Sequence, residues 1–241
     1  MMNVKAVSEI LGGVLVLMII LVTIGIIFST AFPTIDGLRK DIRLRGIQSH
    51  MLDFKELVER SLVGVEPYIM LKFPIAGGSL YLDNSTKIVV RVWNSTSSSW
   101  DEIINESIGR FEYSEVGWYF VYENGALIEN KGYSRMVTSP KVYTENESGY
   151  AYLSYPIISF QGNLSVGGSG MPIIKIRLVN VTAYDFNNTN VSITLETKDA
   201  QSWKNFFDYI NANATLSGNR VTLQDYFNET HITVYRIEVS L

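Results

Sequence analysis

The pattern of apolar and polar residues divides the chain into stretches with different periods. Residues 10–32 carry no charge, and Leu, Ile, Val, Met and Phe dominate them. At about 1.5 Å of rise per helical residue, this stretch reaches about 35 Å, which is enough to cross the hydrocarbon core of a bilayer. A secretory signal usually has a shorter apolar region of about 7–15 residues. We therefore predict a helix that stays in the membrane.

A second stretch, residues 33–64, repeats apolar residues at intervals near three and four with charges between them; these are Ile35, Leu38, Ile42, Ile47, Met51, Phe54, Leu57, Val58 and Leu62. This period predicts that the helix continues beyond the membrane. Pro33 and Gly37 are expected to kink or loosen it rather than end it. A continuous rod from residue 10 to residue 62 would reach on the order of 80 Å, a length that suits a polymer built around a helical core.

From Tyr68 onward the period changes to two, which predicts β-strands rich in β-branched and aromatic residues. The segments are YIMLKF, SLYLD, KIVVRVW, RFEYS, WYFVYE, ALIE, AYLSYPIISF, IIKIRLVNV, VSITLET, VTLQ and ITVYRIEVSL. Asn124-Gly125, between two of them, predicts a tight hairpin. The segments SVGGSGMP and NSTSSSW are predicted to be loops.

One helix interrupts the strands, in the segment DAQSWKNFFDYINAN, with Asp199 as the expected N-cap. Its apolar residues, Trp203, Phe206, Phe207 and Ile210, are expected to lie against a sheet. The predicted fold class is therefore α+β: a long N-terminal membrane-spanning helix extends into a kinked rod, and a mostly antiparallel β-sandwich or rolled-sheet domain with one packed helix follows.

Ten Asn-X-Ser/Thr sequons follow the apolar stretch, at Asn84, Asn94, Asn105, Asn146, Asn163, Asn180, Asn187, Asn190, Asn213 and Asn228. The chain has 17 Asn, and chance pairing with Ser and Thr would give about three sequons. The excess favours N-glycosylation and a C-terminal part outside the cell. The alternative is that a polar β-rich surface simply uses Asn, Ser and Thr heavily.

Taken alone, the distribution of basic residues places the C-terminal part on the opposite side of the membrane, inside the cell. Lys5 is the one basic side chain ahead of the apolar stretch, whereas four follow it, at Arg39, Lys40, Arg43 and Arg45. The positive-inside rule would then place the C-terminal part in the cytoplasm. Because that rule weakens for long translocated domains, the sequons decide our prediction of an extracellular domain.

Composition narrows the classes of function. The net charge of −4 gives no reason to expect a nucleic-acid partner, and the absence of Cys excludes disulfides and thiolate metal sites. His50 and His231 are far apart in sequence, so we expect surface or packing roles and no metal. Asp185, Asp199, Asp208 and Asp225 could pair as glycosidase acids, but solvated carboxylates are the simpler interpretation. With no catalytic motif, we predict neither an enzyme nor a cofactor.

The N-terminus carries a family resemblance. MMNVK followed by AVSEILGGVLVLMIILVTIGIIF resembles the leader and N-terminal helix of archaeal type IV pilins, which have a class III signal peptide. The resemblance implies that a prepilin-peptidase-like enzyme cuts between Lys5 and Ala6, which makes Ala6 the mature terminus and Glu9 its fourth residue. Further along, LKFPIAGGSLYL, IGRFEY, MVTSPKVY, AYLSYPIISF and SWKNFFDYINA are similar to segments of an uncharacterised euryarchaeal family of pilin-like membrane proteins.

Glu9 stands one residue ahead of the uncharged stretch. Near the positive end of the helix it gains about 0.3–1 kcal/mol, whereas at the middle of the bilayer it would cost about 2.5–3.5 kcal/mol or more. Two roles stay open: Glu9 pairs with the Ala6 amine of a neighbouring subunit and sets the axial register, or it caps the helix together with Ser8. Gly12 and Gly13 could permit close approach of neighbouring helices.

The predicted organisation is a leader at 1–5, a transmembrane and assembly helix at 6–32, an extracellular helix extension at 33–64 and a β-rich extracellular domain at 65–241. The predicted function is that of a pilin-like subunit, major or minor, of a type IV pilus-type surface filament or its assembly apparatus. Its role would be structural or adhesive, with other pilin-like subunits or its own copies as partners. The alternative is a single-pass surface glycoprotein that binds an envelope or extracellular ligand, such as a glycan, without polymerising. An ectoenzyme would need an acidic pocket in the β-rich domain.

Overall fold

The computed structural model describes the backbone of residues 4–64, 66, 68–147 and 149–241, and side chains from residue 12 onward except at 147. The elements in chain order are α1 (Val4–Leu62), β1 (Tyr68–Lys72), β2 (Ile75–Asp83), β3 (Lys87–Asn94), β4 (Ser99–Ser107), β5 (Arg110–Glu115), β6 (Trp118–Glu123), β7 (Ala126–Asn130), β8 (Ser134–Thr138), β9 (Tyr143–Glu147), β10 (Tyr150–Gln161), β11 (Ser165–Gly170), β12 (Ile173–Glu196), α2 (Ala200–Tyr209), β13 (Ala214–Ser217) and β14 (Arg220–Ser240).

The N-terminal helix α1 is continuous over 59 residues and contains Pro33. Proline removes one backbone donor from the helical ladder, but α1 continues on both sides of it, as the sequence predicts. The chain divides into two compact units, Met1–Ile47 and Gln48–Leu241. The division falls inside α1, so the last turns of the helix belong to the β-rich unit.

The β-rich unit contains two sheets. The eight-stranded sheet has the order β4-β3-β12-β14-β10-β9, with β1 also paired to β12 and β13 to β14. The six-stranded sheet has the order β11-β2-β5-β6-β7-β8. Among the described strands, the pair β10–β14 is parallel and the other pairs are antiparallel. The predicted α+β class with a mostly antiparallel sheet domain is confirmed.

The end of α1 packs into an aromatic part of this unit. Met51, Phe54 and Val58, spaced by three and four residues, are fully buried. The Phe54 ring stacks on Phe111 of β5, with centroids 3.8 Å apart and planes inclined by 7°. On the same helix, Lys55 Nζ donates to the Gly125 carbonyl at 2.6 Å. The last turns of α1 are therefore held by both apolar and polar contacts.

The second helix, α2, covers the core with the residues that its sequence predicts. Trp203, Phe206 and Phe207 are buried and belong to one hydrophobic cluster with residues of β3, β10, β12 and β14. Ile210 is partly buried against the same cluster. Asp199 occupies the N-cap position, as predicted, but its side chain makes no capping hydrogen bond. That carboxylate has another partner, described below.

The hairpin at Asn124-Gly125 forms as predicted between β6 and β7. Both residues have positive φ, 45° and 84°, which the tight turn requires and which Asn and Gly tolerate best. The Asn124 side chain is buried, accepts a hydrogen bond from the Ile158 amide at 2.8 Å and donates to the Tyr155 hydroxyl at 3.3 Å. The turn is thereby tied to β10 in the other sheet.

One of the two loop predictions is wrong. Residues 165–170 of the glycine-rich segment form β11, which pairs with β2 at the edge of the six-stranded sheet. A strand at an edge tolerates the bulge between Gly167 and Ser169, where Gly168 has a φ of 95°. The loop predicted for NSTSSSW is confirmed at residues 95–98, which form the turn between β3 and β4, while β4 already begins at Ser99.

Candidate functional site

The apolar part of α1 is largely exposed from residue 12 to residue 32, where its side chains are described. Large apolar side chains between Val14 and Phe32 are about half exposed or more, for example Met18 at 64%. Among the described residues, α1 is the one helix long and apolar enough to cross a membrane, and none of its most apolar part is buried. Because this much exposed apolar surface is unfavourable in water, we identify α1 as a single-pass membrane anchor.

The polar side chains within the apolar stretch bond to their own helix. The hydroxyl of Thr23 donates to the Ile19 carbonyl at 2.7 Å, and those of Ser29 and Thr30 donate to the Ile26 carbonyl at 2.9 and 3.0 Å. A hydroxyl satisfied in this way needs neither water nor a polar partner. The whole surface of this stretch is therefore suited to lipid or to the apolar face of another helix.

The predicted processing and assembly residues lie at the start of α1. The helix backbone includes Lys5, Ala6 and Glu9, but their side chains are outside the described residues. A Cβ atom added at Gly12 or at Gly13 would meet no other atom within 4 Å. No other described part of the same chain therefore covers the helix surface at these two glycines.

The ten acceptor asparagines are all accessible in the β-rich unit. Asn94 and Asn228 are half-buried, and the other eight are exposed. Three acceptors, Asn94, Asn187 and Asn190, line one groove of about 600 Å³ beside the end of β3. Accessibility is what transfer of a glycan to an asparagine requires.

That groove has an aromatic and acidic lining. Trp93 and Tyr226 line it together with Asp101 and Asp185. The Trp93 ring is held by an edge contact with Trp100, with centroids 5.6 Å apart. Aromatic rings with one apolar face and neighbouring polar groups are a common surface for binding polar ligands.

A buried ionic cluster, which the sequence analysis missed, joins the six-stranded sheet to α2 and to the segment before β3. Arg110 of β5 is fully buried and lies 2.8 Å from Asp199, 3.1 Å from Glu112 and 3.3 Å from Glu123. Glu123 also accepts hydrogen bonds from Thr86 at 2.5 Å and from the Trp203 indole at 2.7 Å. The cluster thus ties strands β5 and β6 to α2 and to the segment that leads into β3.

In this cluster, burial and the neighbouring charges act on the pKa values of the ionisable side chains. Burial raises the pKa of Glu123, although Arg110 and three hydrogen-bond donors act in the opposite direction. Burial lowers the pKa of Arg110, but the surrounding carboxylates more than offset this effect, so its pKa lies above the ordinary value. Burial and the neighbouring Asp199 raise the pKa of Tyr119 to about 12. Since Arg110, Glu123 and Asp199 are not accessible to solvent, we assign the cluster a structural role.

The expectation that Asp199 is a solvated carboxylate is wrong, because Arg110 holds it in the interior. A sequence signal for this cluster does exist. In β5, the charged residues Arg110 and Glu112 alternate with Phe111 and Tyr113, so one face of the strand carries Arg110, Glu112 and Ser114. Because Arg110 and Glu112 are buried, this face requires ionic partners inside the protein.

A second charged group lies on the surface of the eight-stranded sheet. His231 of β14 contacts Asp185 of β12 at 2.5 Å through Nδ1 and Glu229 at 2.7 Å through Nε2. An imidazole can donate to both carboxylates only when it is protonated. Hydrogen bonds to Asp185 and to Glu229 therefore raise the pKa of His231.

This arrangement predicts the titration of His231. Its imidazole should titrate above about 6.5, the ordinary value, in histidine-selective NMR spectra of the full chain in detergent. The raised pKa contributes stability that is complete below about pH 6.5 and is lost as the pH rises through the folded-state pKa. Asp185→Asn should move the midpoint down, while Asp225→Asn, an exposed acid on the same strand as His231, should not. An unchanged midpoint in Asp185→Asn would contradict the assignment.

A metal site is not evident among the residues that the structure describes, where no group of three or more His, Asp or Glu is placed to hold an ion. His50 and His231 are not brought together. His50 lies near Asp53 at 3.5 Å and beside the ring of Phe73, whereas His231 lies in β14.

Comparisons with known proteins reveal a family but no activity. The model of a family of unknown function, DUF7289, matches residues 5–240. Two uncharacterized proteins of Archaeoglobus fulgidus are similar to the chain. One is 22% identical, over 85% of this chain and 83% of its own length; the other is 24% identical, over 86% and 82%. No solved structure matches significantly.

Proposed function

The chain belongs to the DUF7289 family, and we propose that it is a pilin-like subunit of an archaeal type IV pilus-type surface filament or of its assembly apparatus. The proposal rests on one observation above all. A single continuous helix combines an exposed apolar part, which could lie in lipid or in a bundle, with a last part packed into the β-rich unit. In such a subunit the helix is the assembly element and the β-rich unit is displayed at the surface.

Two features of the helix support assembly after removal from the membrane. The hydroxyls of its apolar stretch are satisfied internally, so the same surface can exchange lipid for other helices. Gly12 and Gly13 leave open surface where a second helix could approach closely. On this proposal, Glu9 lies near the mature N-terminus, where it caps the helix or pairs with the Ala6 amine of a neighbour.

The accessible sequons support an extracellular β-rich unit. All ten acceptor asparagines follow the membrane-spanning stretch and none is buried, so each could be modified outside the cell.

Processing gives a direct test. The mature protein, recovered from cell membranes or sheared surface material, should begin at Ala6, as read by N-terminal sequencing and intact mass. Lys5→Ala should abolish or greatly slow this cleavage, because the proposed peptidase recognises the basic residue before the cut. The variant should accumulate with its first five residues attached and should be missing from sheared filaments.

Lys40→Ala is the matched control, because it removes the same side chain from the other end of the membrane-spanning stretch. This variant should be cleaved as the natural protein is. A natural protein that keeps Met1 or Met2 while retaining its helix would refute the proposal. If Lys5→Ala has no effect and filaments contain none of the protein, the chain is instead a membrane-anchored surface glycoprotein.

A further inference from the structure

The long strand β12 has an unpaired edge in its middle. On one side it pairs with β14 over nearly its whole length. On the other side, β1 pairs with residues 173–177 and β3 with residues 191–196. Between them, none of the strands that the structure describes pairs with residues 178–190. We call this segment the open edge.

An open edge of this kind favours pairing with another chain. On this side no described strand pairs with its backbone, which leaves room for a strand at the usual spacing of about 4.8 Å, and a long unprotected edge is a typical site of aggregation. The sequence LVNVTAYDFNNTN contains no Lys, Arg or Pro, which are common protections of edge strands. Its single acid, Asp185, is already bound to His231, while Val179 and Val181 are 50% and 45% exposed.

The open edge also carries an unusual density of sequons. Asn180, Asn187 and Asn190 are all exposed and all lie within this segment. An even distribution of the ten sequons over the 194 residues of the β-rich unit would place about one in a segment of this length. At the first of them, Asn180 Nδ2 lies 3.4 Å from the hydroxyl of Thr182, the third residue of its sequon.

We infer that N-linked glycans on Asn180, Asn187 and Asn190 cover the open edge and prevent a second chain from pairing with it. A glycan is bulky and strongly hydrated, so it prevents the close approach that strand pairing requires. One acceptor lies near the start of the segment and two near its end, so an added strand would meet a glycan at either end. The occupant of this edge is thus the chain's own carbohydrate. The inference rests on the extracellular placement within the proposed function, but not on cleavage or polymerisation.

The test starts with the full chain purified in detergent from the membranes of a host that performs archaeal N-glycosylation. Glycopeptide mass spectrometry should find carbohydrate on Asn180, Asn187 and Asn190. In the triple variant N180Q/N187Q/N190Q, the fraction of protein that sediments as larger assemblies should be about tenfold higher than in the natural chain. In these species, the backbone amides of residues 178–190 should exchange with solvent more slowly.

Two further variants distinguish edge pairing from misfolding. The control N84Q/N105Q/N163Q removes three exposed acceptors outside the open edge and should sediment as the natural chain does. Adding Val181→Lys to the edge triple places a charge on the open edge and should restore the natural distribution. A misfolded protein would not be rescued by this charge.

The inference is overturned if all three asparagines are unmodified in the natural protein, or if the edge triple sediments like the natural chain. It is equally overturned if the control triple aggregates as strongly, or if Val181→Lys fails to rescue. None of these results bears on cleavage after Lys5. An uncleaved N-terminus, conversely, would end the pilin proposal and leave glycosylation of the open edge standing.

Discussion

Replacing Arg110 with Met should lower the free energy of unfolding of the β-rich unit by about 3–5 kcal/mol, because it leaves buried carboxylates without their cation. Arg110 is the shared partner of Glu123 and Asp199, both inaccessible to solvent. For a unit of about 190 residues, this loss corresponds to a fall in unfolding temperature of roughly 6–20 °C. Thermal unfolding of the full chain in detergent, followed by near-ultraviolet circular dichroism, measures this fall in unfolding temperature.

The pH dependence of the stability lost in R110M identifies the cause of that loss. In R110M, the pKa of Glu123 should rise further in the folded state, since its compensating charge is gone. A carboxyl whose folded pKa exceeds its unfolded value, about 4.3, costs stability above that value and ceases to do so below it. The deficit of R110M relative to the natural protein should therefore shrink as the pH is lowered toward 4. A deficit that stays constant with pH would indicate lost packing instead of unpaired charge.

Arg91→Met is the matched control for this prediction. Arg91 pairs with Glu102 at 3.2 Å, but both side chains are well exposed. Such surface pairs contribute about 0–1 kcal/mol, so the unfolding temperature should hardly change. If R91M destabilises the protein as much as R110M does, the buried cluster has no special importance.

Replacing Phe54 with Ala should also cost about 3–5 kcal/mol, through the cavity left in the aromatic core. The ring is fully buried, stacks on Phe111 and makes an edge contact with Tyr122 at 5.6 Å. Because Phe54 belongs to the last part of α1, the backbone amides of residues 48–62 should be the first to lose their protection against hydrogen exchange. Hydrogen exchange by mass spectrometry should show faster exchange there before the strands are affected.

Phe32→Ala makes the same change on the same helix at an exposed position, where Phe32 is 57% accessible. It should leave both the unfolding temperature of the β-rich unit and the exchange of residues 48–62 unchanged. Equal effects of the two substitutions would contradict the assignment of Phe54 as the main apolar contact of this helix segment.

Local periodicity predicts much of this fold. The apolar run and the period of three to four residues that follows it predict α1 across Pro33, and the apolar positions of α2 are those that pack. The alternation of apolar and polar residues does not predict the full length of the paired strands β12 and β14, because it indicates four shorter strands instead. The residues between those strands are mostly polar, and Asn188 has a φ of 50°, so no local signal shows that pairing continues.

The buried cluster and the open edge depend on contacts distant in sequence. Arg110 meets Asp199 across 89 positions, which no local pattern encodes. The sequence shows the three acceptors of the open edge but not that β1 and β3 leave the strand unpaired there. Residue types thus indicate candidate sites, while topology decides which of them share a surface.

The buried turn at Asn124-Gly125 has a chemical consequence. In an Asn-Gly sequence, the glycine backbone nitrogen readily attacks the asparagine side-chain carbonyl; ammonia leaves, and water opens the resulting ring to aspartate or isoaspartate. Here the Ile158 amide and the Tyr155 hydroxyl hold the side chain in place, and they do so only while the hairpin is packed. A chain that unfolds loses this protection, and the acid it gains would have to be buried again on refolding. Each episode of unfolding therefore increases the chance of irreversible deamidation at this turn.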